Sequence, residues 1–366
     1  LLVDNQNRIA YTQNEGVMMM DKKFCLSVIL FFVFFLTGCL IIPVGNDDST
    51  AGIEEADYET DKEDSEIEEI EVIYKEIDEH ALNTPNSVEK DINSLISYLI
   101  EPARSEEERA RAIYRWITGN IEYDADSFFS GNYPDTSPEA VLRSRMSVCD
   151  GFANLFLILA EKAGLDVVKI NGYAKGIGYT VGDNFTGETN HAWNAVFIKG
   201  KWRLIDCTWG AGYLNINGQF EKQFQEHYFF TTPENFIFDH FPQDPFWQLL
   251  EKPLSLREFE SLVKIDPAFF KCGLSVISNR EGKIYMTDTV TITLKSSLDV
   301  SIIGILYQNN QEVKKDVKVS AKEGGFFDIT VSGLDTGEYL LMIFVKPGKG
   351  MAGQYESAIY YKIIVK

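Results

Sequence analysis

Apolar residues recur along the chain first at helical and then at strand spacing. Between Ser105 and Ile117 they fall at Ala110, Ile113, Tyr114 and Ile117, which is one face of a helix. Ser105 is placed to cap that helix, and Glu106, Glu107 and Glu108 suit its first turn. A second helix is predicted from Ser147 to a stop at Gly164. Ser147 is its expected N-cap, Asp150 three residues on completes a weak capping box, and Phe152, Leu155, Phe156 and Leu159 form the buried stripe. Residues 191–198 and 201–208 alternate as strands around a Lys199-Gly200 turn. A two-residue turn pairs Ile198 with Lys201, so His191 would face Thr208 and Trp193 would face Asp206.

From residue 269 the period is two throughout. Val290, Ile292 and Leu294 alternate with Thr289, Thr291 and Thr293, and Phe327, Ile329 and Val331 repeat the pattern. Residues 339–345 are all apolar, as a central strand requires. The run from Asp335 to Tyr339 resembles the tyrosine corner of immunoglobulin-like sandwiches, so a β-sandwich is expected over 269–366, behind a mixed helix-and-strand region over 81–268.

The first eighty residues carry neither pattern until Ile67, Ile70, Val72 and Ile73, which could begin a helix and leave the boundary near 80 soft. From Met20, Lys22 and Lys23 precede a 13-residue apolar run, Phe24 to Leu36, short for a spanning helix and suited to a leader peptide. The run closes in Leu36-Thr37-Gly38-Cys39, which resembles a bacterial lipoprotein signal. That resemblance implies cleavage before Cys39, lipid on its sulfur, and an extracytoplasmic protein anchored to the membrane; an uncleaved N-terminal anchor is the alternative. Residues 20–38 are read as the leader, and residues 1–19 as an overlong start. Residues 47–80 hold 16 acidic side chains against two lysines, a self-repelling run expected to be an extended tether over 39–80.

Charge and cysteine content narrow the function. The whole chain has 366 residues and a formal net charge of −21, which disfavours nucleic acid as a partner. Its five cysteines are scattered and form no C-x-x-C pair, so neither a disulfide scaffold nor a zinc ribbon is expected. Loop 180–190 has Asp183, Asn184, Thr186 and Glu188 but not the spacing of a calcium loop, and reads as a lid or rim. No metal or cofactor is expected.

Three residues carry candidate chemistry. Cys149 falls in the first turn of the second helix, where the helix dipole and unpaired N–H groups favour a thiolate; Asp150 would partly oppose this. His191 and Asp206 fall on one face of the predicted hairpin as diagonal neighbours. A carboxylate there can orient one imidazole nitrogen while the other meets a thiol, giving nucleophile, base and orienting acid. Taken singly each has a plainer structural reading; His191 is, however, the only histidine between residues 81 and 226.

The segments SVCDGFANLF, NHAWNAV and WRLIDCTWG, in that order, resemble the core blocks of the transglutaminase-like superfamily. AIYRWITGNIEYD (112–124), NGYAKGIGY (171–179) and YFFTTPENFIFDHFPQDPFWQLL (228–250) are similar to its kyphoscoliosis-peptidase-like branch. The resemblance, over roughly 90–268, implies an α+β papain-like core followed by an immunoglobulin-like sandwich. It implies Cys149 as nucleophile, His191 as general base and Asp206 as its orienter, working on protein or peptide amides by acyl transfer. Tyr123 is the candidate oxyanion donor, Trp193 and Trp209 candidate cleft walls, and Cys207 a core thiol that could pair with Cys272 in an oxidising compartment. A catalytically silent binding or scaffold module is the alternative.

Overall fold

The computed structural model describes residues 74–348 and 354–366, apart from Ile216 and Asp316. The leader, Cys39 and most of the acidic segment lie outside the described residues. Residues 74–80, read from sequence as the end of the tether, are helical, and Tyr74, Ile77 and Ala81 are buried in the first core. The apolar positions of that stretch turn inward, Glu76 and Glu79 stay exposed to water, and Asp78 is paired with Arg111. Buried itself, Arg111 donates from Nε and Nη2 to the two oxygens of Asp78, each at 2.7 Å, and from Nη2 to Glu226 at 2.7 Å.

Ser105 caps the Glu106–Asn120 helix by accepting from the Glu108 N–H. Strand β1 (Glu122–Tyr123) pairs in parallel with β2 (Met146–Ser147) just before the Cys149–Lys162 helix. Ser147 is therefore a strand residue. The N-cap is Val148, which makes no side-chain cap bond, and Cys149 is the first helical residue. The expected Ser147 cap fails because β1 claims that backbone: Asp124 N–H donates to Ser147 O at 2.9 Å. Gly151 is needed here, since a Cβ would lie 2.0 Å from Ser147 Oγ and 2.8 Å from Val141 Cγ2.

The helix packs on an antiparallel five-stranded sheet. It contains β3 (Val167–Ala174), β4 (His191–Ile198) and β5 (Lys201–Ile205). After the small hairpin of β6 (Gly212–Leu214) and β7 (Phe220–Lys222), the chain adds β8 (Phe229–Thr231) and β9 (His240–Pro242), giving the order β8-β5-β4-β3-β9. Ile198 pairs with Lys201 and the register runs unbroken to Asn194 opposite Ile205. Lys199 and Gly200 have φ of 49° and 82°, as a tight two-residue hairpin turn demands.

The second strand ends at Ile205, not at 208. Asp206 leaves the sheet and caps a short helix, Cys207–Ala211, by accepting from the Thr208 and Trp209 N–H groups. The expected pairings of Trp193 with Asp206 and of His191 with Thr208 are not made, because a capping carboxylate supplies partners that the sheet edge would not.

The sandwich begins earlier than residue 269. β10 (Lys264–Ile265) already pairs with the last strand. In chain order there follow β11 (Leu274–Val276), β12 (Lys283–Met286), β13 (Thr289–Ser296), β14 (Val300–Gln308), β15 (Gln311–Val313), β16 (Val317–Lys322), β17 (Phe326–Ser332), β18 (Gly337–Pro347) and β19 (Glu356–Val365). One sheet runs β10-β19-β18-β14-β15 with β12 beside β19, and the other β11-β13-β17-β16. The apolar run 339–345 lies in β18, paired on both edges.

Tyr339 makes the expected corner, its hydroxyl donating to Asp335 O at 3.0 Å. Tyr339→Phe is expected to lower stability by about 1 kcal/mol, read as a smaller urea midpoint at unchanged slope. An unchanged midpoint would show that the corner bond contributes nothing.

One apolar cluster crosses the boundary between the regions, joining Ile237, Phe238, Phe241 and Phe259 to Ile292, Leu341 and Ile359. Lys175 reinforces the junction: fully buried, it donates to Phe259 O at 2.7 Å and Leu262 O at 2.9 Å, and burial pushes its ammonium down to about 7. Loop 180–190 is fastened to the same junction. Phe185 stacks on Tyr179 and Phe259, and its N–H donates to Glu260 Oε1 at 2.6 Å. Cys207 and Cys272 are free thiols in separate core clusters, so the pairing considered for them is not formed. Among the described residues no helix is long and apolar enough to cross a membrane.

Candidate active site

The site forms where the helix tip of Cys149, the first residue of β4 and the end of β5 converge. His191 Nε2 lies 2.7 Å from Asp206 Oδ2, and both residues are buried. Burial works against a charged ring, but the Asp206 charge and hydrogen bond, followed by interaction with Cys149, push the His191 imidazole up to about 10. With Nε2 committed to the carboxylate, Nδ1 is the nitrogen left to meet the thiol. Cys149 is half-buried, its backbone N–H in the first helical turn, where no intrahelical acceptor exists.

Asp206 is anchored at both oxygens. Oδ1 accepts from Thr208 N–H at 2.7 Å and Trp209 N–H at 3.1 Å, while Oδ2 serves His191. Burial alone would push its carboxyl up, yet the His191 charge and the hydrogen bonds from His191 and His240 hold it well below the usual range.

The expected opposition from Asp150 is relieved. Its carboxylate forms an ion pair with Lys169 and accepts from Thr136 Oγ1 at 2.9 Å and from Asn154 Nδ2 at 3.2 Å. These bonds outweigh burial and hold Asp150 below its ordinary value. Lys169→Ala is expected to leave an unneutralised anion one residue from the thiol and to slow Cys149 alkylation at pH 7 about threefold to tenfold. An unaltered rate would show that Asp150 does not bear on Cys149.

The other candidates divide. Tyr123 is packed between Phe128 and Phe220, with ring centroids at 5.9 and 6.4 Å. Burial first, and then the charge of Cys149, raise its phenol well above the usual range, so it lies within electrostatic reach of the thiol. Trp209 is half-buried with its ring 5.4 Å from His191, in position to wall the site. Trp193 is not a wall. Only 1% exposed, it is core between Ile170, Ala195, Leu204, Tyr228 and Phe236, because β4 is a central strand covered on both faces. Cys207 is a buried core thiol, pushed well above its ordinary value by burial and then by Asp206.

Sequence reasoning missed His240. Its Nε2 lies 2.9 Å from the same Asp206 Oδ2, and its Nδ1 lies 2.6 Å from Asp239 Oδ1. The Tyr228 hydroxyl donates to Asp239 Oδ2 at 3.1 Å. The available signal was the Asp-His pair within the segment 228–250, but neither spacing nor parity ties β9 to β4. Ligand atoms of His191, Asp206 and His240 lie within 4.8 Å of one another, a spacing a metal ion could bridge. The 2.7 and 2.9 Å contacts instead account for Oδ2 as a hydrogen-bond acceptor for both rings.

Residues 93–207 match the family model described as the transglutaminase-like superfamily, and residues 256–366 match the KY-like, immunoglobulin-like domain. The chain carries a transglutaminase-like core followed by a KY-like sandwich. The chain is 34% identical over 285 residues to the kyphoscoliosis peptidase of Mus musculus, covering 76% of this chain and 41% of that protein, and 33% identical over 280 residues to that of Homo sapiens, covering 74% and 40%. The Lim and transglutaminase domain protein ltd-1 of Caenorhabditis elegans is 36% identical over 226 residues, covering 59% of this chain and 31% of that protein. The chain thus spans about two fifths of the length of the kyphoscoliosis peptidases it matches. The transglutaminase-like match takes in Cys149, His191 and Asp206 but ends before Asp239 and His240.

Proposed function

We propose that this chain is a cysteine-dependent acyl-transfer enzyme acting on protein or peptide amides, as peptidase, amidase or cross-linking enzyme. The observation that carries it is the buried His191–Asp206 pair in interaction with a cysteine at a helix tip. The Cys149 thiolate attacks the amide carbonyl carbon, and the resulting oxyanion is met by the Cys149 N–H, with Tyr123 as the second candidate donor. The C–N bond breaks as the His191 imidazolium passes its proton to the departing amine, leaving a thioester. His191, now neutral, takes a proton from water or a second amine, which attacks the thioester and restores the thiol pair. Asp206 holds the ring in the tautomer and orientation both halves require.

The test is mass spectrometry of protein extracts treated with wild type and with Cys149→Ala. Cleaved peptides, deamidation or amine adducts present only with wild type support the reading and separate its three forms. Identical spectra would leave a binding module. Lipid anchoring through Cys39 is a further part of the proposal that rests on the leader pattern alone. Metabolic labelling with a fatty-acid analogue, lost in Cys39→Ala, tests it.

A further inference from the structure

The reaction scheme above has no use for His240, yet it is among the most constrained side chains of the site. It opens β9, is fully buried, and presents both ring nitrogens to carboxylate oxygens, Asp206 Oδ2 at 2.9 Å and Asp239 Oδ1 at 2.6 Å. An ionised carboxylate only accepts hydrogen bonds, so a ring bonded to one at each nitrogen must donate twice and carry both protons. Both carboxylates are fixed in the accepting role. Asp206 also accepts from Thr208, Trp209 and His191, and Asp239 also accepts from the Tyr228 hydroxyl.

We propose that His240 is a positioning residue held as an imidazolium, which shares the charge of Asp206 between two rings and so sets the pH range in which His191 serves Cys149. The inference rests on the functional reading of Cys149 and His191. The two rings stand 5.3 Å apart on one carboxylate oxygen, so a positive His240 weakens the hold of Asp206 on the His191 proton. That makes His191 a readier acid toward a departing amine than a lone carboxylate–imidazole pair would allow.

No other charge facing His240 reverses this. From β4 it meets His191 and Trp193, from the capped turn Asp206 and Trp209, and from its own approach Phe236 and Asp239. Beside it lie Tyr228 and His227; burial, followed by opposing charges, leaves His227 at about 4 and therefore neutral. Lys175 interacts electrostatically with Asp239.

The test is the pH dependence of Cys149 alkylation by iodoacetamide in the full chain. Wild type is expected to show two inflections, the lower from thiol ionisation beside the imidazolium and the upper from loss of the His191 proton. In His240→Gln, which removes a positive charge and keeps an amide donor, both should move upward by roughly one pH unit. A role in packing alone would lower the melting temperature and leave both inflections in place, which would overturn the proposal.

A second measurement needs no variant. With 15N-labelled histidine, the chain's four histidines give few resonances, and His240 should show both ring N–H protons from pH 5 to 9. A single protonated nitrogen at pH 7 overturns the proposal even if His240→Gln fails to fold. Should wild type show only one inflection at an ordinary thiol value, the functional reading of Cys149 fails instead, while the 15N result still decides the state of His240.

Discussion

Cys149→Ala is expected to lower turnover by roughly 10⁴-fold or more while leaving the fold intact. The asymmetry follows from where the residue sits. Cys149 is the first residue of its helix and half-buried, so alanine loses no cap, no core contact of consequence and no helix propensity. Everything lost is chemical, because no other described thiol can substitute. Cys207 and Cys272 are both buried, and burial raises both thiols, Cys207 far above its ordinary value. The checks are steady-state rates on whichever substrate the mass comparison identifies, and peptide mapping after brief alkylation. Wild type should be modified at Cys149 before Cys207 or Cys272, and the variant at neither of those sites on the same timescale. Equal labelling of Cys149 and Cys207 would remove the grounds for a thiolate at the helix tip.

Asp206→Asn should be nearly as damaging to turnover, about 10⁴-fold, and unlike Cys149→Ala it should also destabilise the protein. One carboxylate here orients His191, accepts from His240 and caps the Cys207–Ala211 helix. The amide has one oxygen where the carboxylate uses two: if that oxygen accepts from the capping N–H groups, NH2 donors face the rings, and if it faces the rings the cap is lost, with the charge gone in either case. Leaving a buried imidazolium without its anion costs on the order of 3–5 kcal/mol.

The pH dependence of that loss has a definite sign. The Asp206 pKa is depressed in the folded state, so its contribution is present above about pH 4 and is lost as pH falls through the folded value. His191 is raised from 6.5 to about 10, so its contribution is full below about pH 6.5 and is lost as pH climbs toward 10. The stability difference between wild type and Asp206→Asn should therefore be greatest between about pH 4 and 6.5 and shrink on both sides. Urea unfolding across pH 3–10 reads it directly. A difference that does not vary with pH would show that the pair is not ionised in the native state.

Much of this molecule follows from its amino-acid order. The Ser105 cap, the turn at Lys199-Gly200, the alternation in β13 and β17 and the Tyr339 corner are local, each decided by residues within a few positions of one another. The register of the β4–β5 hairpin is local too and carries the chain to Ile205, one residue short of Asp206, whose side chain then meets His191 from a helix cap. What local order could not decide was competition for backbone partners. Ser147 had the chemistry of a cap, but β1 took its backbone; Asp206 had the parity of a strand residue, but the next helix took its side chain.

Burial of distant residues was equally out of reach. Trp193 became core rather than cleft because two layers close over β4, and residues 74–80 joined the fold because Tyr74 and Ile77 pack in the first core while Asp78 pairs with Arg111. His240 is the clearest case: β9 lies 34 residues after Asp206 and reaches it only by pairing with the far edge of β3. The order of residues thus marked out the thiol, the imidazole and the acid. The second imidazole on that acid was decided by the packing of a sheet edge, since a hydrogen bond between distant segments leaves no periodic trace in either.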